Sequence, residues 1–303
     1  MKAMKQQFTY NSKYKFSMPI RKLINRLNHK WAKENLEKGS PQVAIYAFDH
    51  IGLQINNYGV YEEEMLEAIM YFLRKQYDIN SFETILDIGA NIGNHSLYFS
   101  KRAKNVYSFE PNPNTFELLK FNTRNNKNIS IFNLGLYNKN CKKTLFENSL
   151  NIGQSFLNDT LGFKRNNLTN YEVNLSRLDS VKELFGKNIS LIKIDVEGSE
   201  WEVMLGGKDL IKKNLPFILF EQDKDLKQER KNKLEDFLTS HNYKIYSLRR
   251  KFDFNIYPIL KIFEFILRVI FGEKLIISEI NKLPETGVTS FPLLIAVPKK
   301  IKN

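Results

Sequence analysis

A buried strand that runs directly into a glycine-rich loop is the feature that most restricts the fold of this chain. Residues 84–88 are mostly apolar, and Gly89, Asn91 and Gly93 follow at once, before a helical pattern begins. Glycines let the backbone turn sharply and approach a ligand closely, and a helix N-terminus offers unpaired N–H groups. Many α/β folds contain such a turn, so the loop alone predicts either a bound small ligand or a tight turn without one.

The rest of the chain predicts a parallel sheet covered by helices on both faces. Apolar runs alternate with helical patterns, which is typical of an α/β sheet. The predicted strands are 84–88, 105–109, 129–133, 190–194, 216–220, 244–248 and 293–297, and the predicted helices are 94–103, 113–125, 199–213 and 228–241. Residues 141–178 break the alternation with short β-like pieces, which predict an insertion at the sheet edge. Residues 249–288 form a second predicted insertion. Its apolar stretch 259–271 is expected to be a packed cap, and a lid over the active site, a dimer contact and an interfacial anchor are the alternatives.

Residues 1–58 are predicted to be a basic N-terminal extension, with the main domain at 59–303. The extension is expected to contain an amphipathic helix of about 20 residues starting near Ser17. This helix is expected to dock on its own domain, and binding to a membrane surface is the alternative. Its apolar positions recur at helical spacing at Ile20, Leu23, Ile24, Leu27 and Trp31. Residues 43–48 and 51–56 are expected to form a β-hairpin, and a helix is predicted from 61 to 77.

Acidic residues follow the predicted strands. Glu110 ends the second strand of the alternating region, 23 residues after Asp87. A carboxylate at that position can accept hydrogen bonds from ribose hydroxyls. The spacing D-x-G-x-N-x-G differs from the G-x-G-x-x-G of dinucleotide sites. Because Asp87 would repel a pyrophosphate but suit a cationic amino group, the pattern favours S-adenosylmethionine over NAD.

The segment from Ser190 to Glu200 places further charged groups at a strand end. Alternation puts Lys193 and Asp195 on one side of the strand, and Asp195 at its carboxyl end, where ligands of open α/β sheets bind. Asp195 is therefore the first candidate for a base or an acceptor-orienting residue, and Glu197 is the next. Glu200 is expected to cap the following helix instead. His95 is either a further base or a buried, hydrogen-bonded histidine.

The sequence resembles the FkbM-like methyltransferases. The matching stretches are ILDIGANIGNHSLYF at 85–99, YSFEPNP at 107–113, LD at 178–179 and LIKIDVEGSEWEVMLGG at 191–207. The resemblance extends from about Gly59 to Glu221. It implies a class I (Rossmann-like) methyltransferase fold, with a seven-stranded, mostly parallel sheet whose last strand is antiparallel. It also implies O-methylation of a hydroxyl, on sugars of glycans and glycolipids or on natural products such as macrolides.

The resemblance implies roles for individual residues as well. Asp87, Gly89, Asn91 and Gly93 would surround the methionine part of the cofactor, and Glu110 would hold its ribose. Asn133 would lie near the adenine. Gly135 stands where a small alanine-like residue is expected, which is a departure at the same edge of the pocket.

A metal site and two other functions remain open from the sequence. Asp195, Glu221 and Gln222 resemble the acid and acid-amide pattern with which catechol O-methyltransferases hold magnesium, and hard oxygen ligands suit Mg²⁺. The pair of Lys193 and Asp195 also resembles sites of RNA ribose methylation. A non-catalytic scaffold that keeps the fold is the third alternative. The acids at the ends of four predicted strands, Asp87, Glu110, Asp195 and Glu221, argue against it.

The charge distribution bears on partners and location. Residues 1–38 hold ten Lys/Arg against two acids and residues 241–303 hold eleven against five, whereas the middle is almost neutral. Basic flanks around a neutral middle indicate either contact with an anionic membrane surface or phosphorylated carrier, or a lysine-rich solvated surface without such a partner. The neutral middle makes nucleic acid an unlikely partner. The single cysteine, Cys141, and the absence of a signal-like segment favour a cytoplasmic protein, peripheral at the inner membrane face. The sequence does not indicate an oligomeric state.

Overall fold

An eight-stranded sheet forms the centre of the chain in the computed structural model. The structure describes residues 17–47, 49–148, 151–157, 168–221, 228–251, 260–272, 274–283 and 293–300. The strands of this sheet, in chain order, are β1 (Phe82–Ile88), β2 (Ala103–Phe109), β3 (Ile129–Phe132), β8 (Leu191–Ile194), β9 (Phe217–Phe220), β10 (Tyr243–Arg250), β11 (Leu275–Ile280) and β12 (Leu293–Pro298). Across the sheet the order is β11-β10-β12-β9-β8-β1-β2-β3. The strands β4 to β7 belong to a second sheet.

The register of the parallel strands brings four strand ends to one edge. Ile88, the last residue of β1, pairs with Phe109 of β2 on one side and with Ile194 of β8 on the other. Ile194 in turn pairs with Phe220, the last residue of β9. The residues that follow these strands therefore start side by side at the carboxyl edge of the sheet.

The predicted mostly parallel sheet with an antiparallel last strand is confirmed, because β12 pairs antiparallel with both β9 and β10. The expected number of seven strands in this sheet is too low by one. Strand β11 comes from the predicted insertion 249–288 and pairs antiparallel with β10 at the edge. Its residues are mostly half-buried, so it carries little of the continuous apolar signal of a central strand.

Helices cover both faces of the sheet. They are α1 (Ser17–Glu37), α2 (His50–Tyr58), α3 (Glu63–Tyr77), α4 (Asn94–Ser100), α5 (Pro113–Thr123), α6 (Glu200–Gly206), α7 (Lys208–Asn214), α8 (Gln228–Ser240) and α9 (Leu260–Phe271). The single helix predicted at 199–213 is divided into α6 and α7. A Cβ at Gly206 would overlap the carbonyl oxygen of Tyr137, so only glycine permits this close backbone approach.

The β-hairpin predicted for the N-terminal extension is wrong. Residues 43–46 have no regular structure, and α2 covers the whole of the second predicted strand. Within α2 the buried residues are Gly52 and Ile55, three apart, as on one face of a helix. The short apolar pattern at 51–56 fits both the two-residue period of a strand and the 3.6-residue period of a helix. Packing against the body of the protein then favours the helix.

The region 141–178 forms part of a separate sheet rather than pieces at the edge of the main one. Strands β4 (Gly135–Leu136), β5 (Cys141–Asn148), β6 (Asn151–Phe156) and β7 (Leu168–Ser176) have the order β4-β7-β5-β6. Strand β7 pairs parallel with β4 and antiparallel with β5. Because β4 follows β3 closely, this small sheet is held next to the carboxyl edge of the large one.

The core lies on both faces of the large sheet. Within β1, Leu86 and Ile88 join the cluster on one face, and Ile85 joins the cluster on the other. This explains why residues 84–88 are apolar without alternation, since a strand covered on both sides buries every side chain. Within the described residues, no helix has the length and apolar character needed to cross a bilayer.

Candidate active site

The four strand ends open into one cavity. It encloses about 950 Å³ of space continuous with solvent. Its lining includes Gly89, Asn91, Glu110, Leu134, Gly135, Leu136, Leu145, Leu175, Asp195, Glu197 and Glu221, together with Tyr61. The cavity therefore lies between the carboxyl edge of the large sheet and the small sheet. Ligands of open α/β folds bind at this edge.

The glycine-rich loop is fixed by its own backbone geometry. Gly89 has φ +76°, and a Cβ there would overlap the carbonyl oxygen of Asp195, so the loop is in direct contact with the end of β8. Asn91 has φ +50° and lines the cavity beside Gly89. Gly93, at φ +91°, precedes α4 and packs against Leu119 rather than lining the cavity. Of the four predicted loop residues, Gly89 and Asn91 therefore line the cavity in this structure.

Glu110 is held rigidly at the end of β2. Its Oε2 accepts a hydrogen bond from the backbone N–H of Asn91 at 3.0 Å, and its Oε1 accepts one from the N–H of Asn112 at 2.8 Å. Burial raises the pKa of this carboxyl to about 7, against the opposing effect of the two N–H donors. The side chain joins the two loops after β1 and β2, and its remaining lone pairs can accept from the vicinal hydroxyls of a ribose.

Asn133 acts on the backbone rather than on the cavity. Its Nδ2 donates to the carbonyl oxygens of Glu110 at 2.9 Å and Pro111 at 3.1 Å. The residues that line the cavity at this edge are Leu134, Gly135 and Leu136. A Cβ at Gly135 would meet the side chain of Leu175, which accounts for glycine where a larger residue was expected.

A buried lysine links the two acidic segments. Lys193 Nζ lies 3.4 Å from Asp87 Oδ1 and 3.2 Å from Asp195 Oδ2, and donates to the carbonyl oxygen of Gly89 at 2.9 Å. Burial alone would lower the pKa of Lys193. The negative charges of Asp195 and Asp87 have a larger effect in the opposite direction, so the pKa lies above its ordinary value. Asp87 is completely buried, with Oδ2 accepting from Ser96 Oγ at 2.6 Å, and does not line the cavity. The cation that Asp87 meets in this structure is therefore Lys193.

Two residues near the cavity escaped the sequence analysis. Tyr61 lines it, with its ring stacked at 6.0 Å on the ring of His95. Glu62 precedes α3 with φ +59° and places Oε2 3.6 Å from Nε2 of His95. Burial, followed by the charge of Asp195, raises the pKa of Glu62 to about 7. The only local signal was a run of three acids at the start of a predicted helix, which is too common to indicate a site.

His95 is buried and neutral at physiological pH. Burial, and then the positive charge of Lys193, lower the pKa of its imidazole to about 4. Its Nε2 has no hydrogen-bond partner among the described residues. A histidine with so low a pKa is a weak proton acceptor, so this environment favours the structural alternative over the base.

Asp195, Glu197 and Glu221 line the cavity from the ends of β8 and β9. Glu197 lies in the turn before α6 with φ +51°. Glu200, by contrast, points back to this turn, where Oε1 accepts from the N–H of Gly198 at 3.1 Å, as expected for a residue that caps the helix. Burial, and then the charges of Asp195 and Glu62, raise the pKa of Glu221 to about 9.

The predicted magnesium site is not supported. Gln222 lies outside the described residues, and among those that are described no three His, Cys, Asp or Glu side chains are grouped for metal binding. Asp195 already faces the ammonium of Lys193 at 3.2 Å. A divalent cation on Asp195 would thus meet a fixed positive charge, and no step of the chemistry is assigned to a metal.

The raised pKa of Glu221 predicts a fall in stability at alkaline pH. With a pKa of about 9 in the folded protein and an ordinary value of 4.5, Glu221 keeps a proton that the unfolded chain has released. The contribution of Glu221 to the free energy of unfolding is complete below pH 4.5 and is lost as the pH rises through 9. The contribution of His95 is constant above pH 6.5, so it does not affect this range. We expect the Tm to fall between pH 7.5 and 9, and to fall less in Glu221→Gln. Parallel Tm profiles for the two proteins would contradict the burial of an acidic proton at this position.

A family model described as "Methyltransferase FkbM domain" matches residues 87–245, which is more than half of the chain. The chain belongs to the FkbM family of methyltransferases. Its main sheet, with β12 antiparallel among parallel neighbours, is the sheet of a class I methyltransferase fold. The family membership implies S-adenosylmethionine as methyl donor.

One curated relative of the FkbM chain is the hexuronic acid methyltransferase AglP of Haloferax volcanii. The two are 26% identical over 151 residues, or 46% of this chain and 55% of the relative. The chain thus spans about half the length of the curated relative that it matches.

Solved structures similar to the FkbM chain include methyltransferase FkbM from Methylobacillus flagellatus, with 16% identity and a TM-score of 0.41 over 76% of this chain and 56% of that one. A putative methyltransferase from Streptococcus mutans in complex with SAH has 10% identity and a TM-score of 0.38. The match covers 76% of this chain and 95% of that one. At these values neither structure bears on substrate or site.

The cavity of the FkbM chain fits the cofactor that the family implies. Glu110 is buried with its carboxylate fixed by two N–H groups, as a partner of ribose hydroxyls requires. The apolar residues Leu134 and Leu136 beside it offer a surface for a purine ring. On the other side of Glu110, Gly89 and Asn91 would contact the methionine part. The carboxylate of Glu197 suits its cationic ammonium group.

Proposed function

We propose that this chain transfers the methyl group of S-adenosylmethionine to a hydroxyl group of a sugar in a surface glycan or glycolipid. The observation that carries the proposal is the position of Asp195. Its carboxylate follows β8 at the cavity wall, next to the Gly89 turn, and is paired with a buried ammonium group at 3.2 Å. A fixed carboxylate beside the cofactor loop is what proton removal from an acceptor hydroxyl requires.

The sulfonium of the bound cofactor supplies a methyl group that is already electrophilic. The chain has to align the acceptor oxygen with the methyl carbon and take up the proton that the hydroxyl loses. The new oxygen–carbon bond forms as the carbon–sulfur bond breaks, and the proton passes to Asp195. Lys193 holds Oδ2 of this carboxylate, which leaves the other oxygen for the acceptor.

The lining of the cavity favours an uncharged acceptor. Four carboxyl side chains line it, those of Glu110, Asp195, Glu197 and Glu221, and no described lysine or arginine does so. Glu221 keeps its proton at neutral pH, but a carboxylate or phosphate on the acceptor would still meet the carboxylates of Asp195 and Glu197 in a partly buried site. We therefore infer a neutral sugar, in contrast to the hexuronic acid in the name of AglP, and the same argument disfavours RNA.

A panel of acceptors tests this proposal. The protein is incubated with S-adenosylmethionine and neutral oligosaccharides, matched oligosaccharides that contain a uronic acid, a macrolide alcohol and a short RNA, and formation of S-adenosylhomocysteine is measured. We expect turnover with neutral oligosaccharides to exceed that with the acidic ones, and to be unchanged in excess chelator. Turnover of the macrolide or RNA alone would overturn the sugar assignment, and loss of activity with chelator would contradict the metal-free site.

A further inference from the structure

Helix α1 carries an apolar stripe that the described part of the protein leaves exposed. Ile20, Leu23, Ile24, Leu27 and Trp31 recur at spacings of three and four, which places them on one face. Their side chains are between 41% and 62% exposed, and none of the 21 residues of α1 is buried. A stripe of this kind on a helix of a soluble domain normally faces the core, so its exposure marks an interaction surface.

The helix is attached to the body of the protein by another face. Near its C-terminal end, Asn35 Nδ2 donates to the carbonyl oxygen of Asn56 in α2 at 3.4 Å. Ala32 and Leu36 flank the same contact, next to Ile55. By helical spacing these positions lie beside the stripe rather than within it. Attachment to α2 therefore leaves the stripe facing away from the protein.

Basic residues surround the stripe. Helix α1 holds Arg21, Lys22, Arg26, Lys30 and Lys33 against the two acids Glu34 and Glu37. The acids form only exposed pairs, Lys30 with Glu34 at 3.9 Å and Lys33 with Glu37 at 3.8 Å, and such pairs are weak. An apolar stripe with a tryptophan and a lysine- and arginine-rich opposite face is the pattern of a helix that lies in the headgroup region of an anionic bilayer.

We propose that α1 docks this methyltransferase on the surface of a bilayer that contains anionic phospholipids. The apolar stripe enters the headgroup region, and the basic side chains contact lipid phosphates. A second copy of the chain is the less suitable occupant. Pairing two stripes would bring the net positive flanks of both helices together, and like charges repel at that distance.

Vesicle flotation of the full chain tests this surface. The probes are vesicles of phosphatidylglycerol mixed with phosphatidylcholine and vesicles of phosphatidylcholine alone. We expect the protein to float with the mixed vesicles only. An apolar variant (Leu23→Gln, Leu27→Gln, Trp31→Gln) and a charge variant (Arg26→Gln, Lys30→Gln, Lys33→Gln) should each lower partitioning by on the order of tenfold or more.

The matched control is a triple glutamine variant at Phe263, Ile266 and Ile270 of α9. These three side chains are also exposed on a helix, but α9 has a net charge of only +1, against +3 for α1. We expect this control to float like the unmodified protein. Equal binding to both vesicle types, no binding to either, or flotation that only the α9 control abolishes would overturn the proposal. So would a concentration-dependent dimer that the apolar variant of α1 dissociates.

Discussion

Lys193→Met is expected to lower the free energy of unfolding by about 3–5 kcal/mol, the usual cost of removing one partner from a buried ion pair. The side chain of Lys193 is 6% exposed and that of Asp87 is fully buried. Without the ammonium, Asp87 would be left as an uncompensated charge in the core, and the carbonyl of Gly89 would lose its donor. Asp195, at 32% exposed, would be rehydrated at smaller cost. Chemical denaturation of the variant measures the loss.

Two control variants distinguish the effect of leaving the buried charge of Asp87 unpaired from the effect of removing a lysine side chain. Lys104→Met breaks the exposed pair with Glu83 and should cost less than about 1 kcal/mol. The double variant Asp87→Asn with Lys193→Met leaves no carboxylate at position 87 without its ammonium partner, so we expect it to be less destabilised than the sum of its two single variants. Simple additivity of the two single effects would show that the buried pair is not the reason for the loss.

Asp195→Asn is expected to lower kcat by about 10²- to 10⁴-fold, the typical contribution of a positioned general base. An amide has nearly the same shape but does not take up the proton of the acceptor hydroxyl. The affinity for S-adenosylmethionine should change little, because Glu110 and the Gly89 turn are left intact. Steady-state kinetics with the best acceptor of the panel, together with calorimetry of cofactor binding, measure the two effects separately.

Glu197→Gln is the comparison for this experiment. Glu197 lines the same cavity but has no described contact with Lys193. We expect its kcat to fall by less than about tenfold. If Asp195→Asn kept its activity while Glu197→Gln lost it, the proton acceptor would be Glu197, and the role of the pair with Lys193 would be structural only.

Much of the large sheet could be predicted because its central strands are apolar on both faces. The apolar run at 84–88 and the glycines after it are local signals, and parallel register then aligns the strand ends without further information. The pair of Lys193 and Asp195 was visible for the same reason, because a charge inside a buried strand needs a partner.

The errors arose where a short segment fits two periods or where a contact joins distant parts of the chain. Residues 51–56 suit a strand or a helix, and only their packing decides. Strand β11 is an edge strand with a mixed pattern. The positions of Tyr61 and Glu62 beside His95 depend on how α3 packs against α4, a contact between residues more than 30 positions apart. The contact of Asp87 with Lys193 was not predicted either, because the sequence shows the charge of Asp87 but not the ammonium group that meets it.

The position of a transferred methyl group tests the proposed chemistry most directly. S-adenosylmethionine with a ¹³C-labelled methyl group is incubated with the protein and a neutral oligosaccharide, and the product is examined by NMR and mass spectrometry before and after mild alkali. The proposal predicts one labelled methyl ether on a sugar hydroxyl, stable to alkali and absent with Asp195→Asn. A label that alkali removes as a methyl ester, or an undiminished yield with Asp195→Asn, would contradict it.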